Sequence, residues 1–179
     1  MKKTAVYPGT FDPITYGHLD IIKRAGKMFD NVIIAVSSGE WKRPLFSWEE
    51  RVEMVKTATK GMDFITVEAY DGLLVDYMAA KKARIVIRGL RAVSDFEYEF
   101  QLALVNKNMN ADVEMIFLMP EQNFLYISSS VVKQIAYYDG DVSKLVPINV
   151  AAKLRIKYLP KPVKLTAKRR KQDTQKGKK

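Results

Sequence analysis

Short apolar runs alternate with segments of helical period along almost the whole chain, and this alternation fixes the class of fold open to it. The runs are KTAVYP, NVIIAVSS, FITVEA, RIVIRG and VEMIFLMP. Their length and β-branched content predict buried strands. Between them, HLDIIKRAGKMF places Leu19, Ile22, Ala25 and Phe29 at helical spacing. SWEERVEMVKTATK opens on Ser47 and Glu50, a capping-box pair, with Val52 and Val55 on one face. LLVDYMAAKK reads as a third helix. SDFEYEFQLALVNKNM reads as a long fourth, with a second capping box at Ser94 and Glu97. SSSVVKQIAYY carries hydroxyls at its start, and PINVAAKLRIKYL has Pro147 near its first turn. Five β-α units in succession predict an α/β domain: a five-stranded, mainly parallel sheet with helices on both faces. In such a sheet, ligands bind at the carboxyl ends of the strands.

The net charge of +10 looks like a nucleic-acid signal until it is located. From Pro160 to Lys179 there are nine basic residues and one acid, Asp173, so this segment holds +8 of the excess. It is rich in Lys, Gln and Thr and poor in large apolar residues, which predicts a disordered tail. The chain therefore divides into a domain over 1–159 and a basic tail over 160–179. A nucleic-acid role, if there is one, belongs to the tail. There is no cysteine, which excludes disulfides, thiolate catalysis and Cys-based metal sites. No apolar run approaches the roughly 18 residues of a membrane span. Pro8, Gly9 and Asp12 interrupt any signal-peptide core, so a cytoplasmic protein is expected.

The loops that follow the strands carry the chemistry. After the first comes PGTFDPITYGH, after the second SSGEWKRP, after the fourth RGLRAVSDFE, and after the fifth PEQNFLYISSS. Each offers groups suited to phosphate. In the first loop Gly9 permits a tight turn or close approach, Thr10 supplies a hydroxyl, and Pro13 and Gly17 set the path into a helix. The chain's single histidine, His18, sits in that helix's first turn. A helix start favours an anion, and an imidazole there adds a directed donor. Plainer readings stand beside these. His18 could cap or pack a helix, and Ser128 to Ser130 could be an N-cap cluster. Arg88 and Arg91 could be ion-pair partners, Glu99 a solvated helix residue, and Leu73 and Leu74 core.

GTFDPITYGH resembles the T-x-G-H signature of the nucleotidyltransferases related to class I aminoacyl-tRNA synthetases. RGLRAVSDFEYE and ISSSVVK narrow the resemblance to the bacterial phosphopantetheine adenylyltransferase family, over about Lys3 to Leu159. SSGEWKRPLF is a looser match, with Lys42 and Pro44 in place. The resemblance implies a Rossmann-like nucleotidyltransferase fold and a homohexamer. It implies that ATP and 4′-phosphopantetheine give dephospho-coenzyme A and pyrophosphate, with Mg²⁺ bound mainly through the ATP phosphates and no metal ligands of the chain's own. His18, Thr10, Lys42 and Arg91 would be the catalytic set, with His18 and Thr10 at the α-phosphate. Lys42 and Arg88, with Thr10, would hold the acceptor phosphate, and Leu74 would line the pantetheine arm. Arg91, Ser129 and Ser130 would hold the outer phosphates. Phe11, Gly89, Leu90 and Glu99 would lie along the nucleotide, and Phe124, Leu125, Tyr126, Ile127 and Ser128 onward would read adenine largely through backbone. Two other classes compete. One is transfer to another phosphate-bearing acceptor such as nicotinate mononucleotide. The other is a basic module binding nucleic acid without turnover.

Overall fold

The computed structural model describes residues 3–158, apart from the side chains of Lys42, Val93 and Ser94. The expected domain boundary at Leu159 and the basic tail lie outside the described residues. The elements in order are β1 (Thr4–Gly9), α1 (Tyr16–Ala25), β2 (Asn31–Ser37), α2 (Trp48–Ala58), β3 (Ile65–Tyr70) and α3 (Leu74–Ala80). They continue with β4 (Ile85–Gly89), α4 (Val93–Met109), β5 (Glu114–Leu118), α5 (Ser129–Tyr137) and α6 (Ile148–Tyr158). Short 3₁₀ turns lie at Glu40–Lys42 and Gln122–Phe124. The sheet order is β3-β2-β1-β4-β5, and every pairing is parallel. The chain reverses its direction of growth between β1 and β4, so their carboxyl ends flank the crevice where such sheets bind ligands.

Alternation along the strands divides the core between the two faces of the sheet. Ala5 and Tyr7 of β1 and Val32, Ile34 and Val36 of β2 face one way and pack against α1, α2, α5 and α6, through residues such as Ile22, Met54, Val132 and Leu154. Val6, Ile33, Ala35 and Val86 face the other way and meet Val75 and Met78 of α3. No described side chain of the α4 helix belongs to either cluster. Among its described side chains only Glu99 is buried, while Tyr98, Phe100, Leu104 and Val105 are roughly half exposed.

The local signals at α2 hold. Ser47 accepts from the Glu50 amide, and the Glu50 carboxylate accepts from the Ser47 amide at 2.8 Å. Two expectations need correction. The α1 helix ends at Ala25, leaving Phe29 beyond it, as the Lys27 and Met28 amides tighten onto the Arg24 and Ala25 carbonyls; the Phe64 ring is why the cap, residue 26, is glycine. A Cβ on Gly26 would lie 2.3 Å from that ring. The α4 helix begins at Val93 with Ala92 as its cap, so no box forms at Ser94 and Glu97. Asp95 does the work instead. Its carboxylate folds back to accept from the Arg91 amide at 3.2 Å.

Candidate active site

The carboxyl ends of β1 and β4 and the segment that follows β5 line a cavity of about 560 Å³. Its first wall is the β1–α1 turn. Phe11 has a left-handed backbone, φ 49°, and its ring is buried edge-on to Tyr7 and to His18, with centroids 5.5 and 5.1 Å away. That ring explains Gly9, where a Cβ would stand 2.9 Å from it. Close approach, more than turn conformation, is what the glycine provides.

His18 serves as cap and as a candidate donor at once. Thr15 is the N-cap of α1, and its hydroxyl accepts from the His18 amide. In return His18 Nδ1 lies 3.0 Å from the Thr15 amide nitrogen. A backbone N–H can only donate, so Nδ1 is the acceptor and the proton of the neutral ring belongs on Nε2. Burial, and then the nearby charges of Arg91 and Arg88, lower the pKa of His18 from 6.5 to about 4. At neutral pH the cavity therefore holds an uncharged imidazole with one N–H to give. The helix start is less open than the sequence suggested. The Tyr16 amide donates to the Leu145 carbonyl and the His18 amide to Thr15.

The opposite wall comes from β4 and α4. Arg88 Nε and Nη2 donate to the two oxygens of Glu99 at 2.7 and 2.5 Å, and Nη1 donates to the Pro8 carbonyl at 2.7 Å. Burial alone would lower the pKa of Arg88. The hydrogen bonds and charge of Glu99 outweigh it and hold the guanidinium above its ordinary value. Arg91 forks onto Asp95 at 3.0 and 3.2 Å and donates to the Ile127 carbonyl at 3.3 Å. At the start of α5, Ser128 caps through the Val131 amide, and Ser129 Oγ donates to the Pro13 carbonyl at 2.8 Å.

A cavity between strand ends, lined by a neutral histidine donor and two arginines, suits a reaction between anions. Comparison with known proteins names the family. The cytidylyltransferase-like family matches residues 6–135. A phosphopantetheine adenylyltransferase of Thermodesulfovibrio yellowstonii is 52% identical over 88% of this chain and 99% of its own. Those of Caldanaerobacter subterraneus subsp. tengcongensis and Nautilia profundicola are 53% and 54% identical, over 87% and 82% of this chain and 98% and 96% of theirs. The chain belongs to the phosphopantetheine adenylyltransferases. A solved Vibrio parahaemolyticus protein, assigned as a nicotinate-nucleotide adenylyltransferase, superposes with a TM-score of 0.63 over 87% of this chain and 93% of its own. At 17% identity that likeness speaks to the fold alone.

In this phosphopantetheine adenylyltransferase chain, Thr10, Phe11, His18, Arg88, Gly89, Arg91 and Glu99 come together in the cavity wall, as do Ile127, Ser128, Ser129 and Ser130. Leu90, Leu74, Phe124, Leu125 and Tyr126 are not among the lining residues. Leu90 extends the β4–β5 ladder through the Leu118 carbonyl, and Leu74 packs against the second core cluster. Phe124 presents its carbonyl toward Gly17, while Tyr126 is mostly exposed. Lys42 ends the 3₁₀ turn after β2, and its side chain lies outside the described ones. Of that loop, Pro44 reaches the cavity.

Three residues escaped the sequence reading. Asp12 is buried and accepts from the Leu45 and Phe46 amides, both at 3.0 Å. Lys133 reaches the same carboxylate at 2.5 Å, and its spacing from Ser129, one helical turn, was the available signal. Arg51 is 1% exposed and donates to the carbonyls of Thr10, Ser37, Ser38 and Phe46, tying the first two strand-end loops together. Among Glu49, Glu50 and Glu53 it reads as a solvated helix residue, and nothing local marks it out.

Proposed function

We propose that this cavity transfers the adenylyl group of ATP to 4′-phosphopantetheine, forming dephospho-coenzyme A and pyrophosphate. The observation that carries the reading is a neutral His18, fixed as an Nε2–H donor, facing an arginine wall across one cavity. An acceptor phosphate oxygen forms a bond to the α-phosphorus, and the bond from that phosphorus to the α,β-bridging oxygen breaks. The electron pair leaves with pyrophosphate. A phosphate monoester has a second pKa near about 6, so the nucleophile is already largely a dianion and needs no general base. What the site must supply is positioning and charge stabilisation.

His18 Nε2–H and Thr10 are assigned to the α-phosphate. Arg88 retains N–H groups beyond those given to Glu99 and Pro8, and it takes the acceptor phosphate together with Lys42 and Thr10. Arg91, Ser129 and Ser130 take the outer phosphates. The backbone from Phe124 to Ser130 meets adenine, with Phe11 and Gly89 to Arg91 along the nucleotide, and Leu74 borders the pantetheine arm. Glu99 acts through Arg88, holding its fork in register. The cavity carboxylates Asp12, Asp95 and Glu99 are each engaged by a cation, and among the described residues no cluster of three metal-ligating side chains occurs. Mg²⁺, when bound, would be carried on the ATP phosphates and would neutralise their charge. We place the reaction in the cytoplasm, where ATP is supplied. Among the described residues, no helix is long and apolar enough to cross a membrane.

The exposed apolar length of α4 supports a homo-oligomer, taken as a hexamer, in which copies of the chain cover Phe100, Leu104 and Val105. An acceptor panel tests the enzymatic reading. Pyrophosphate release from ATP and Mg²⁺ is expected with 4′-phosphopantetheine and not with nicotinate mononucleotide. The reverse preference would overturn the choice of acceptor.

A further inference from the structure

Asp12 is 5% exposed, lines the cavity together with its partner Lys133, and has no part in the transfer chemistry just described. Yet its carboxylate is fully employed. Oδ1 accepts from the Phe46 amide at 3.0 Å, while Oδ2 accepts from the Leu45 amide at 3.0 Å and from Lys133 Nζ at 2.5 Å. Three separate segments converge on it: the turn that carries Thr10 and Phe11, the loop that follows Lys42, and the first turns of α5. Ser129, on the same face of α5 as Lys133, reinforces the junction through the Pro13 carbonyl. Arg51 closes it from below by joining Thr10 and Phe46.

We propose that Asp12 is a positioning residue for adenylyl transfer: with Lys133 and the Leu45 and Phe46 amides, it fixes the spacing between the His18 turn and the loop after Lys42. This rests on the reaction assigned above, because those two segments then carry the groups for the α-phosphate and for the acceptor phosphate. An in-line displacement requires reacting atoms about 3–3.5 Å apart, and small misplacement is expensive in rate while leaving single-ligand binding nearly intact. The chemistry of the junction demands a carboxylate. An amide at position 12 would turn an NH₂ group toward a backbone N–H or toward the Lys133 ammonium, where only an acceptor fits. Lys133, about one quarter exposed, compensates the buried charge.

The test uses the full chain with Asp12→Asn, Lys133→Met, the double variant, and Lys133→Arg as the charge-keeping control. Thermal melts first establish that each is folded, and Lys133→Met retains the test if Asp12→Asn does not fold. Turnover of ATP and 4′-phosphopantetheine should fall at least tenfold in each single variant, with ATP affinity within about threefold of wild type. The double variant should be no worse than the poorer single, and Lys133→Arg should recover most of the activity. Amide exchange at Leu45 and Phe46 should accelerate in Asp12→Asn and in Lys133→Met. Unchanged turnover in folded variants, losses that multiply in the double, or unchanged exchange at both amides would each overturn the proposal. Wild-type protein in the same assay separates the two readings. If it forms no dephospho-coenzyme A, the assigned reaction fails, and amide exchange still decides whether the junction exists.

Discussion

On the β1 side of the cavity, shape and backbone hold the wall. Gly9 lets an edge of the Phe11 ring approach the strand closely, Thr15 and His18 cap each other, and Asp12 receives two amides and a lysine. This wall rests on the larger of the two core clusters among the described residues, through Ile14, Leu19, Ile21 and Ile22. On the β4 side, opposite charges hold the wall. Arg88 is gripped by Glu99 and Arg91 by Asp95, and both carboxylates ride on α4. Among its described side chains that helix buries one, Glu99, and leaves several apolar side chains exposed. The two walls therefore fail differently. Damage to the first should act on the reacting phosphate, and damage to the second on how well the acceptor, through Arg88, and the outer phosphates, through Arg91, are held.

The largest effect should follow His18→Ala. Losing one preoriented donor should lower kcat by about 10²–10³-fold, with ATP affinity little changed. A folded variant with near-normal turnover would erase the distinction between the walls. Glu99→Gln is next. It keeps the shape of the pair and removes its charge, so the 4′-phosphopantetheine KM should rise about tenfold, equivalent to about 1.4 kcal/mol, with a smaller change in kcat. Equal weakening of ATP would move Arg88 to the nucleotide side and blur the comparison. Thr15→Val is milder. The hydroxyl cap is lost, but the Thr15 amide still fixes the ring. About 1 kcal/mol of stability, or about 2–4 °C in Tm, should go, with turnover within a few fold.

The two walls also differ in how plainly the sequence announces them. The His18 wall is local: GTFDPITYGH holds within a dozen positions nearly every group that builds it, and the strand before it and helix after it follow from apolar periodicity. The five strands and the helices between them were legible for the same reason. What was not legible depends on residues far apart in the chain. Arg51 is buried because carbonyls from two other loops surround it, and its own helix gives no sign of that. Glu99 looks like a solvated helix position until Arg88 is placed beside it. The start of α4 lies at Val93, two residues after the Arg91 amide that Asp95 receives, and a capping-box pattern in the sequence does not say which turn of a helix is its first. The apolar stripe expected of a packed helix is absent from α4. Its hydrophobic residues are spread around it, and Phe96, Tyr98, Phe100, Leu104, Val105 and Met109 are exposed.

The pH dependence follows from the first wall. His18 has a folded pKa of about 4 against an ordinary 6.5, so the unfolded chain takes up the proton first as pH falls. Stability contributed by the neutral ring should be complete above about pH 6.5 and should decline from there toward pH 4. His18→Asn, compared with wild type, should lack that part of the decline.

Because the chain has one histidine, its ring nitrogens can be observed without ambiguity. A ¹⁵N–¹H correlation spectrum of the imidazole, recorded from pH 8 to pH 5, tests whether His18 is a neutral donor locked by the Thr15 amide. The account predicts a single Nε2–H tautomer, with Nδ1 unprotonated and no titration across that range. A proton on Nδ1, or a transition centred near 6.5, would contradict it and return His18 to the role of an ordinary surface-titrating histidine.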